Sequence, residues 1–152
     1  MRLARILGAV IALFFFSFGI CSASVSNEDL TVNGISLWMD RAQVENITGA
    51  PKGTGKFGNH VVYHYDRGQV KIIYENNKVI RMTVTDRTWK NSKGLHCGGM
   101  EREIERTYGR PGVFSDHPSE KAYIYFTDNF DTIEFIAIEG YIQEIKIERR
   151  VS

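Results

Sequence analysis

Cysteine is scarce in this sequence, which has only Cys21 and Cys97 among its 152 residues. Cys21 falls in an N-terminal segment, residues 1–24, that we expect to be removed from the mature protein. Cys97 would then be the only thiol, so no intrachain disulfide could form. Stability must therefore come from a hydrophobic core, to which the 43% of residues that are hydrophobic can contribute.

An excess of one charge is missing as well. The sequence has 19 basic and 18 acidic residues, and loss of Arg2 and Arg5 with the N-terminal segment leaves 17 against 18, a net charge of −1. A chain without a basic surplus has no general attraction to nucleic acid or to anionic lipid. We therefore expect no nucleic-acid partner and no bulk attachment to a membrane surface.

The common signature motifs of catalysis do not occur. The sequence has no Gly-x-Ser-x-Gly, no phosphate-binding loop and no His-Glu-x-x-His string. Acidic residues such as Glu75 and Glu134 alternate with basic ones, as on a hydrated sheet surface. We predict that the protein is not an enzyme and that it has no catalytic residue, bound metal or cofactor.

The first residues have the parts of a secretory signal peptide. Arg2 and Arg5 precede an apolar run over residues 6–20, and small residues follow in CSASVS. The run is short for a membrane span, which needs about 20 apolar residues. We predict export to the periplasm or the extracellular space, with cleavage after Ala23 or Ser24.

Lipid attachment to Cys21 is the alternative fate of this segment. Lipoprotein processing requires a small residue before the cysteine, whereas Ile20 stands there in FGIC. We expect a mature chain without lipid, which contacts the membrane only through its signal segment.

The rest of the chain can be aligned with itself. RAQVENITGAP at 41–51 and EREIERTYGRP at 101–111 each read as a short amphipathic helix that a glycine and a proline end. The aligned pairs include Gly34 with Gly94, Val44 with Ile104, Gly49 with Gly109, Tyr63 with Tyr123, Tyr65 with Tyr125, Ile72 with Phe135 and Met82 with Ile145. This pattern predicts a tandem duplication.

After each helix, apolar and polar residues alternate in three runs, which is the pattern of strands. The runs cover residues 60–66, 69–75 and 78–86, and then residues 121–127, 131–138 and 141–149. We predict an α+β fold in two copies, residues 25–86 and residues 94–152, each with one helix on a three-stranded antiparallel meander. Residues 87–93 are interpreted as the linker, and one face of each sheet is expected to stay open.

The string GISLWMDRAQVENITGAP, followed by strands, resembles the repeat of the beta-lactamase inhibitor protein and of the BamE (SmpA/OmlA) type of outer-membrane assembly lipoprotein. The resemblance covers 34–51 and 94–111 with the strands after them, although Trp38 stands where these families usually have glycine. It implies a non-catalytic protein that binds a protein partner in the envelope or the secreted space. The shared string is scaffold, so it implies no contact residue.

Four tyrosines suggest where a partner could bind. If Ala122, Ile124 and Phe126 face the core, then Tyr123 and Tyr125 face outward, and the alignment turns Tyr63 and Tyr65 outward too. Outward tyrosines beside Arg81 would combine aromatic anchors with polar neighbours, as protein interfaces do. We predict that the binding residues are Tyr63, Tyr65, Arg81, Tyr123 and Tyr125.

The opposite face remains an alternative for these tyrosines. Tyrosine also suits half-buried sheets, and the same alternation would turn His60 and His64 inward. If the faces are reversed there, Val61, Tyr63 and Tyr65 belong to the core.

A second function class uses the few reactive side chains. His60 and His64 share one face of a predicted strand, which could place two imidazoles near a metal ion. Cys97 could serve a thiol-dependent protein, although a buried, inert thiol is the expected state. The alternative is thus a small exported metal-binding or thiol-dependent protein that uses His60, His64 or Cys97.

Overall fold

The computed structural model describes residues 23–150. The predicted signal peptide lies almost entirely outside these residues, and so does Cys21. Within the described range, no helix is both long and apolar enough to cross a membrane.

The described residues form ten strands and two α-helices. The strands are β1 (Thr31–Val32), β2 (Ile35–Ser36), β3 (Gly53–Phe57), β4 (His60–Tyr65), β5 (Val70–Glu75), β6 (Lys78–Val84), β7 (Val113–His117), β8 (Glu120–Phe126), β9 (Thr132–Ile138) and β10 (Tyr141–Glu148). The helices are α1 (Arg41–Thr48) and α2 (Arg102–Tyr108), and short 3-10 turns occupy Asn27–Asp29 and Asp66–Gly68. Each of the six predicted strands is confirmed to within two residues at either end.

Eight of the strands form one antiparallel sheet in the order β3-β4-β5-β6-β10-β9-β8-β7, while β1 and β2 pair separately. At the centre of the sheet β6 pairs with β10, so that Thr83 lies opposite Lys146 and Arg81 lies opposite Glu148. In each half of the sheet, the first strand in sequence lies at the outer edge and the last strand lies at the centre, where β6 pairs with β10.

The predicted α+β fold of two copies, each with a helix on a three-stranded meander, is wrong. The chain is mostly β, and its strands belong to one continuous eight-stranded sheet. Two strands of this sheet were not predicted, Gly53–Phe57 and Val113–His117, and these form its two outer edges. The short strands β1 and β2 were not predicted either. The pairing of β6 with β10 has a physical reason, because it removes two further edges that separate meanders would expose.

A capping box stabilises the start of α1. The backbone N–H of Gln43 donates to the Asp40 side chain at 2.8 Å, and the backbone N–H of Asp40 donates to the Gln43 side chain at 2.9 Å. These reciprocal bonds satisfy two amides that would otherwise lack partners at the helix start. Helix α2 follows Glu101, whose side chain makes no capping bond.

One face of the large sheet, here called the core face, packs against the helices and the irregular segments. Val44 of α1 and Ile104 of α2 belong to the same buried cluster as Ile72, Phe135 and Ile145 of the sheet. The opposite face, here called the open face, has no helix on it in the part of the chain that the structure describes.

The predicted linker contributes to the core. Trp89 and Asn91 are buried, and the Asn91 side-chain amide donates to the Tyr108 hydroxyl at 3.0 Å. The Asn91 side-chain oxygen in turn accepts from the backbone N–H of Leu95 at 2.8 Å. Trp89 and Asn91 therefore anchor residues 87–93 to the core, while the other five residues of the segment are exposed.

Candidate functional site

The predicted outward orientation of the tyrosines is wrong. Tyr65, Tyr123 and Tyr125 are buried, with Tyr65 and Tyr125 only 1% and 0% exposed, and Tyr63 is half-buried against the same core cluster. All four lie on the core face. They are therefore structural side chains. The reversed alternative holds for Tyr63 and Tyr65, but Val61, which it also placed in the core, is 45% exposed.

The hydroxyl groups of these tyrosines explain how they can be buried. Tyr125 donates to the backbone carbonyl of Gly109 at 2.8 Å, and Tyr123 donates to Glu101 Oε1 at 2.5 Å. Burial, followed by the bond to Glu101, raises the pKa of the Tyr123 hydroxyl. Each bond satisfies a polar atom that would be costly to leave unpaired, and both join β8 to the ends of α2.

Arg81 faces outward on the open face, but the four tyrosines lie on the opposite face, so the predicted surface that joins Arg81 to the tyrosines is wrong. It belongs to a row in which strand register aligns Ile73, Arg81, Glu148 and Thr132 across four central strands. The neighbouring row aligns Lys71, Thr83, Lys146 and Glu134. Residues directly opposite in register point to the same face, so the two rows form one polar surface.

A groove of about 340 Å³ runs over these rows, and we call it the open-face groove. Its lining consists of Phe57, Val62, Lys71, Ile73, Arg81, Thr83, Glu134, Glu144, Lys146 and Glu148. Phe57, which the sequence did not suggest as a site residue, comes from the unpredicted strand β3. Glu148 was not singled out either, because its place opposite Arg81 depends on the β6–β10 pairing.

Within the described part of the chain, ion pairs hold five of the six charged residues of the groove, all except Lys71. Arg81 pairs with Glu148, and Lys146 Nζ lies 3.1 Å from Glu144 Oε1 and 3.4 Å from Glu134 Oε2. Partial burial lowers the pKa of Lys146, but the bond to Glu144 and the charges of Glu134 and Glu144 outweigh burial and raise it overall. Lys146 therefore stays charged at any physiological pH.

An apolar patch adjoins these charges on the same face. Val62, Ile73 and Ile80 form a small buried cluster separate from the main core. Phe57 is 57% exposed, and the Arg81 guanidinium carbon lies 4.7 Å from the centre of its ring. The open-face groove therefore combines an exposed aromatic ring, a stacked arginine and fixed ion pairs, which is a composition suited to contact with another protein.

The structure places Cys97 away from solvent. Its Sγ–H donates to the carbonyl oxygen of Val84 at 3.3 Å, and the side chain is buried. Burial raises the pKa of the Cys97 thiol to about 12. Since the thiolate is the reactive form, this thiol is poorly suited to catalysis, and its expected burial is confirmed.

His60 and His64 lie on one face of β4, at its two ends. His60 is exposed, and the half-buried His64 packs over Gly55, where a Cβ atom would come within 2.8 Å of Nε2. Among the described residues, no three His, Cys, Asp or Glu side chains lie close enough together to hold a metal ion. The structure therefore adds no further ligand to this pair.

Comparison with known proteins gives structural neighbours only. No protein-family model and no curated protein matches the chain. Among solved structures, it is similar to a DUF4309-family protein from Bacillus subtilis, with a TM-score of 0.50 and 16% identity over 85% of this chain and 88% of that one.

Two further neighbours are larger. One is a cysteine-rich secretory protein from Staphylococcus aureus, with a TM-score of 0.54 and 9% identity over 82% of this chain. The other is an extracellular protein from Bacillus anthracis that contains an SCP domain, with a TM-score of 0.53 and 8% identity over 98% of this chain. The chain spans about half the length of each, 47% and 49%. At these identities the likeness concerns the fold alone, and the resemblance to the BamE and beta-lactamase inhibitor repeats stays a prediction.

Proposed function

We propose that the chain is an exported, non-catalytic protein-binding module that binds its partner through the open face of the large sheet. The observation that carries this proposal is the open-face groove, where Arg81 stacks on Phe57 beside fixed ion pairs. Arginine and aromatic residues are enriched at protein interfaces and among the residues that contribute most to binding.

The charges of the groove would set specificity more than strength. Lys71, Arg81 and Lys146 alternate with Glu134, Glu144 and Glu148 over a short distance. A partner must place opposite charges against each of them, and a wrong partner is rejected by like-charge contact. A protein with both signs of charge on its surface fits this pattern better than a polyanion does.

Export is the second part of the proposal. It is supported by the sequence of the first 24 residues, with two arginines, an apolar run and small residues. Two structural neighbours are described as a secretory and an extracellular protein, which agrees with this location.

A charge exchange within the groove tests the binding face. The double variant Arg81→Glu with Glu148→Arg keeps an ion pair in the sheet but exchanges the positions of the positive and the negative charge. Affinity capture with the mature chain from envelope and secreted fractions, with partners identified by mass, should lose the partner that the unmodified chain retains. Thermal melting should show that the double variant is folded.

Helix α1 provides a matched control on the other side of the molecule. Arg41 Nε and Glu45 Oε1 form an ion pair at 2.6 Å, and α1 packs on the core face. The exchange Arg41→Glu with Glu45→Arg should leave capture unchanged. If the groove exchange retains the partner as well as the helix exchange does, the open face is not the binding surface.

The metal or thiol alternative has a separate test. Metal analysis of the purified mature protein should find no stoichiometric zinc or copper if the proposal is correct. Stoichiometric metal that is lost in a His60→Ala, His64→Ala double variant would instead favour the alternative.

A further inference from the structure

Two exposed aromatic residues at one end of the sheet have unusual backbones. Trp38 has φ 73° and is 54% exposed, and Phe130 has φ 64° and is 57% exposed. Bulky residues are genuine outliers in this left-handed region, which glycine adopts readily. Two such outliers that both present an aromatic ring to solvent need an explanation.

Backbone hydrogen bonds lock both residues in place. The N–H of Trp38 donates to the carbonyl of Val79 at 3.0 Å, and the N–H of Phe130 donates to the carbonyl of Thr127 at 2.9 Å. The rings gain little from burial because most of their surface stays in solvent. Strain that is retained without a gain in packing is typical of sites at which the side chain has a use.

Consecutive arginines connect the two rings. The Arg149 guanidinium carbon lies 4.4 Å from the centre of the Trp38 ring, and that of Arg150 lies 4.8 Å from the centre of the Phe130 ring. Glu75 Oε2 accepts from Arg149 at 2.5 Å. Trp38 and Phe130 therefore belong to one surface, ordered by the end of β10.

A groove of about 600 Å³ lies beside Trp38, and we call it the Trp38 groove. Apart from this ring, its lining is polar or charged and includes Asn27, Asn129, Glu75, Asp131 and Arg149. The Trp38 groove and the open-face groove share no lining residue.

The charges in the Trp38 groove are largely compensated. Arg149 is paired with Glu75, and the two other charged residues of the lining, Asp131 and Arg150, have opposite signs. No hydrogen bond of the Asn27 or Asn129 side chain is found within residues 23–150. An amide side chain carries both a donor and an acceptor, so the groove offers hydrogen bonds of both kinds without a net charge to attract an ion.

We propose that the Trp38 groove binds a neutral oligosaccharide. A sugar ring has an apolar face of C–H groups and a rim of hydroxyl groups. The C–H face would lie against the exposed surface of the Trp38 indole, while the hydroxyls would exchange hydrogen bonds with the Asn27 and Asn129 amides and with Glu75. Phe130 would offer a second platform further along the same surface.

Intrinsic fluorescence tests this proposal directly. The chain has two tryptophans, and since Trp89 is 7% exposed while Trp38 is 54% exposed, a ligand stacked on indole will mainly change the emission of Trp38. The mature chain is titrated with chitotetraose, cellotetraose and maltotetraose, and binding is confirmed by calorimetry. We expect at least one of these saccharides to bind with a dissociation constant of about 1 mM or lower.

Variants assign the binding to the groove. Trp38→Ala and Trp38→Gly should each weaken binding by about tenfold or more, and the glycine variant suits the left-handed backbone, so a folded protein is available for the measurement. Phe57→Ala removes an equally exposed ring from the open face and should leave saccharide binding unchanged.

Three results would overturn the proposal. One is the absence of binding to all three neutral saccharides, and another is binding that persists in both Trp38 variants. The third is binding of an acidic saccharide such as tetragalacturonate with no binding of the neutral ones. The charge exchange at Arg81 and Glu148 does not touch this groove, so failure here and failure of the proposed protein interface are distinguishable.

Discussion

The hydroxyl group of Tyr125 donates a hydrogen bond to the backbone carbonyl oxygen of Gly109, with 2.8 Å between the two oxygen atoms. The bond joins β8 to the residue that follows α2. The ring centre of Tyr108, the last residue of α2, lies 5.1 Å from that of Tyr125. It makes Tyr125 part of the framework that holds α2 on the core face.

Truncation of Tyr125 should therefore affect stability. Tyr125→Phe removes the hydrogen bond and should lower the free energy of unfolding by about 1 kcal/mol. Tyr125→Ser also leaves a cavity and should cost roughly 3 to 5 kcal/mol. Denaturant unfolding measures both, and Tyr141→Ser, at a tyrosine that is 50% exposed, should change stability by about 0.5 kcal/mol at most. A Tyr125→Ser protein as stable as the Tyr141→Ser protein would contradict the burial.

The glycines after the two helices should resist substitution. Gly49 has φ 77° and Gly109 has φ 75°. A Cβ atom would meet nothing within 4 Å at Gly49 and only the Ala23 Cβ atom at 3.6 Å, an ordinary van der Waals contact, at Gly109. Gly49→Val and Gly109→Val should each cost more than about 1 kcal/mol through backbone strain alone. Gly53 also has open space but no positive φ, so Gly53→Val is the control. Equal melting temperatures for all three variants would refute the strain.

Because the backbone at Phe130 is strained, we expect the glycine variant at this position to be more stable than the alanine variant, which is the reverse of the usual order. Both Phe130→Ala and Phe130→Gly remove the ring, so their difference isolates the backbone. The glycine variant should be more stable by about 1 kcal/mol, because alanine keeps the Cβ penalty at φ 64°. At Phe57, which has no positive φ, the alanine variant should be the more stable one by about 0.5 to 1 kcal/mol. Thermal melts of the four variants decide between these orders.

Glu101 should make stability depend on pH. Partial burial raises its pKa, but hydrogen bonds from Lys121 at 2.8 Å and Tyr123 at 2.5 Å hold it below the ordinary value of 4.5. Since the folded pKa is lower than the unfolded one, the stabilisation is present above the unfolded pKa and is lost as pH falls through the folded pKa. The stability difference between the unmodified protein and Glu101→Gln should be largest near neutral pH and shrink below pH 4.5. A difference that stays constant across this range would contradict the assignment.

Cys97 should be unreactive in the folded protein. With a pKa of about 12, only about one thiol in ten thousand is ionised at pH 8, and burial excludes reagents as well. Labelling of the mature chain with a chromogenic disulfide should be slow in buffer and fast in guanidinium chloride. Equal rates in the two conditions would restore the thiol-dependent alternative.

The parts of the fold that the sequence predicted are those with strong local patterns. The six inner strands are rich in β-branched and aromatic residues, and left-handed pairs such as Asn76-Asn77, with φ 50° and 62°, close their hairpins. The edge strands Gly53–Phe57 and Val113–His117 were missed because both lie largely in solvent. A strand exposed on both faces needs no alternation, and glycine weakens the pattern further.

The face of each strand was harder to predict than its existence. In β8 both sets of alternate residues are apolar enough to be core, because Ala122, Ile124 and Phe126 compete with Tyr123 and Tyr125. Tyrosine has an apolar body with a polar tip, and only the positions of Glu101 and Gly109 show that the tips are satisfied inside. Those partners come from a distant segment, so the strand sequence alone contains no sign of them.

The candidate site was predicted only in part, for a similar reason. Arg81 was expected outward and lies outward, but its partners Phe57 and Glu148 depend on an edge strand and on the pairing of β6 with β10. Neither has a signal in the sequence around Arg81. The backbone strain at Trp38 and Phe130 likewise becomes visible only when φ is measured.

The pairing of β6 with β10 also has consequences for how the chain folds. It joins residues 78–84 to residues 141–148, a separation of roughly 60 residues that belongs to the slow, non-local class of contacts. Until β10 is available, β6 presents an unpaired edge in which Met82 and Val84 are apolar, and such an edge can pair with another chain. Among the described strands, β10 comes last in the sequence and closes the centre of the sheet. A chain that ends before Tyr141 would therefore be expected to aggregate rather than to keep a stable N-terminal half.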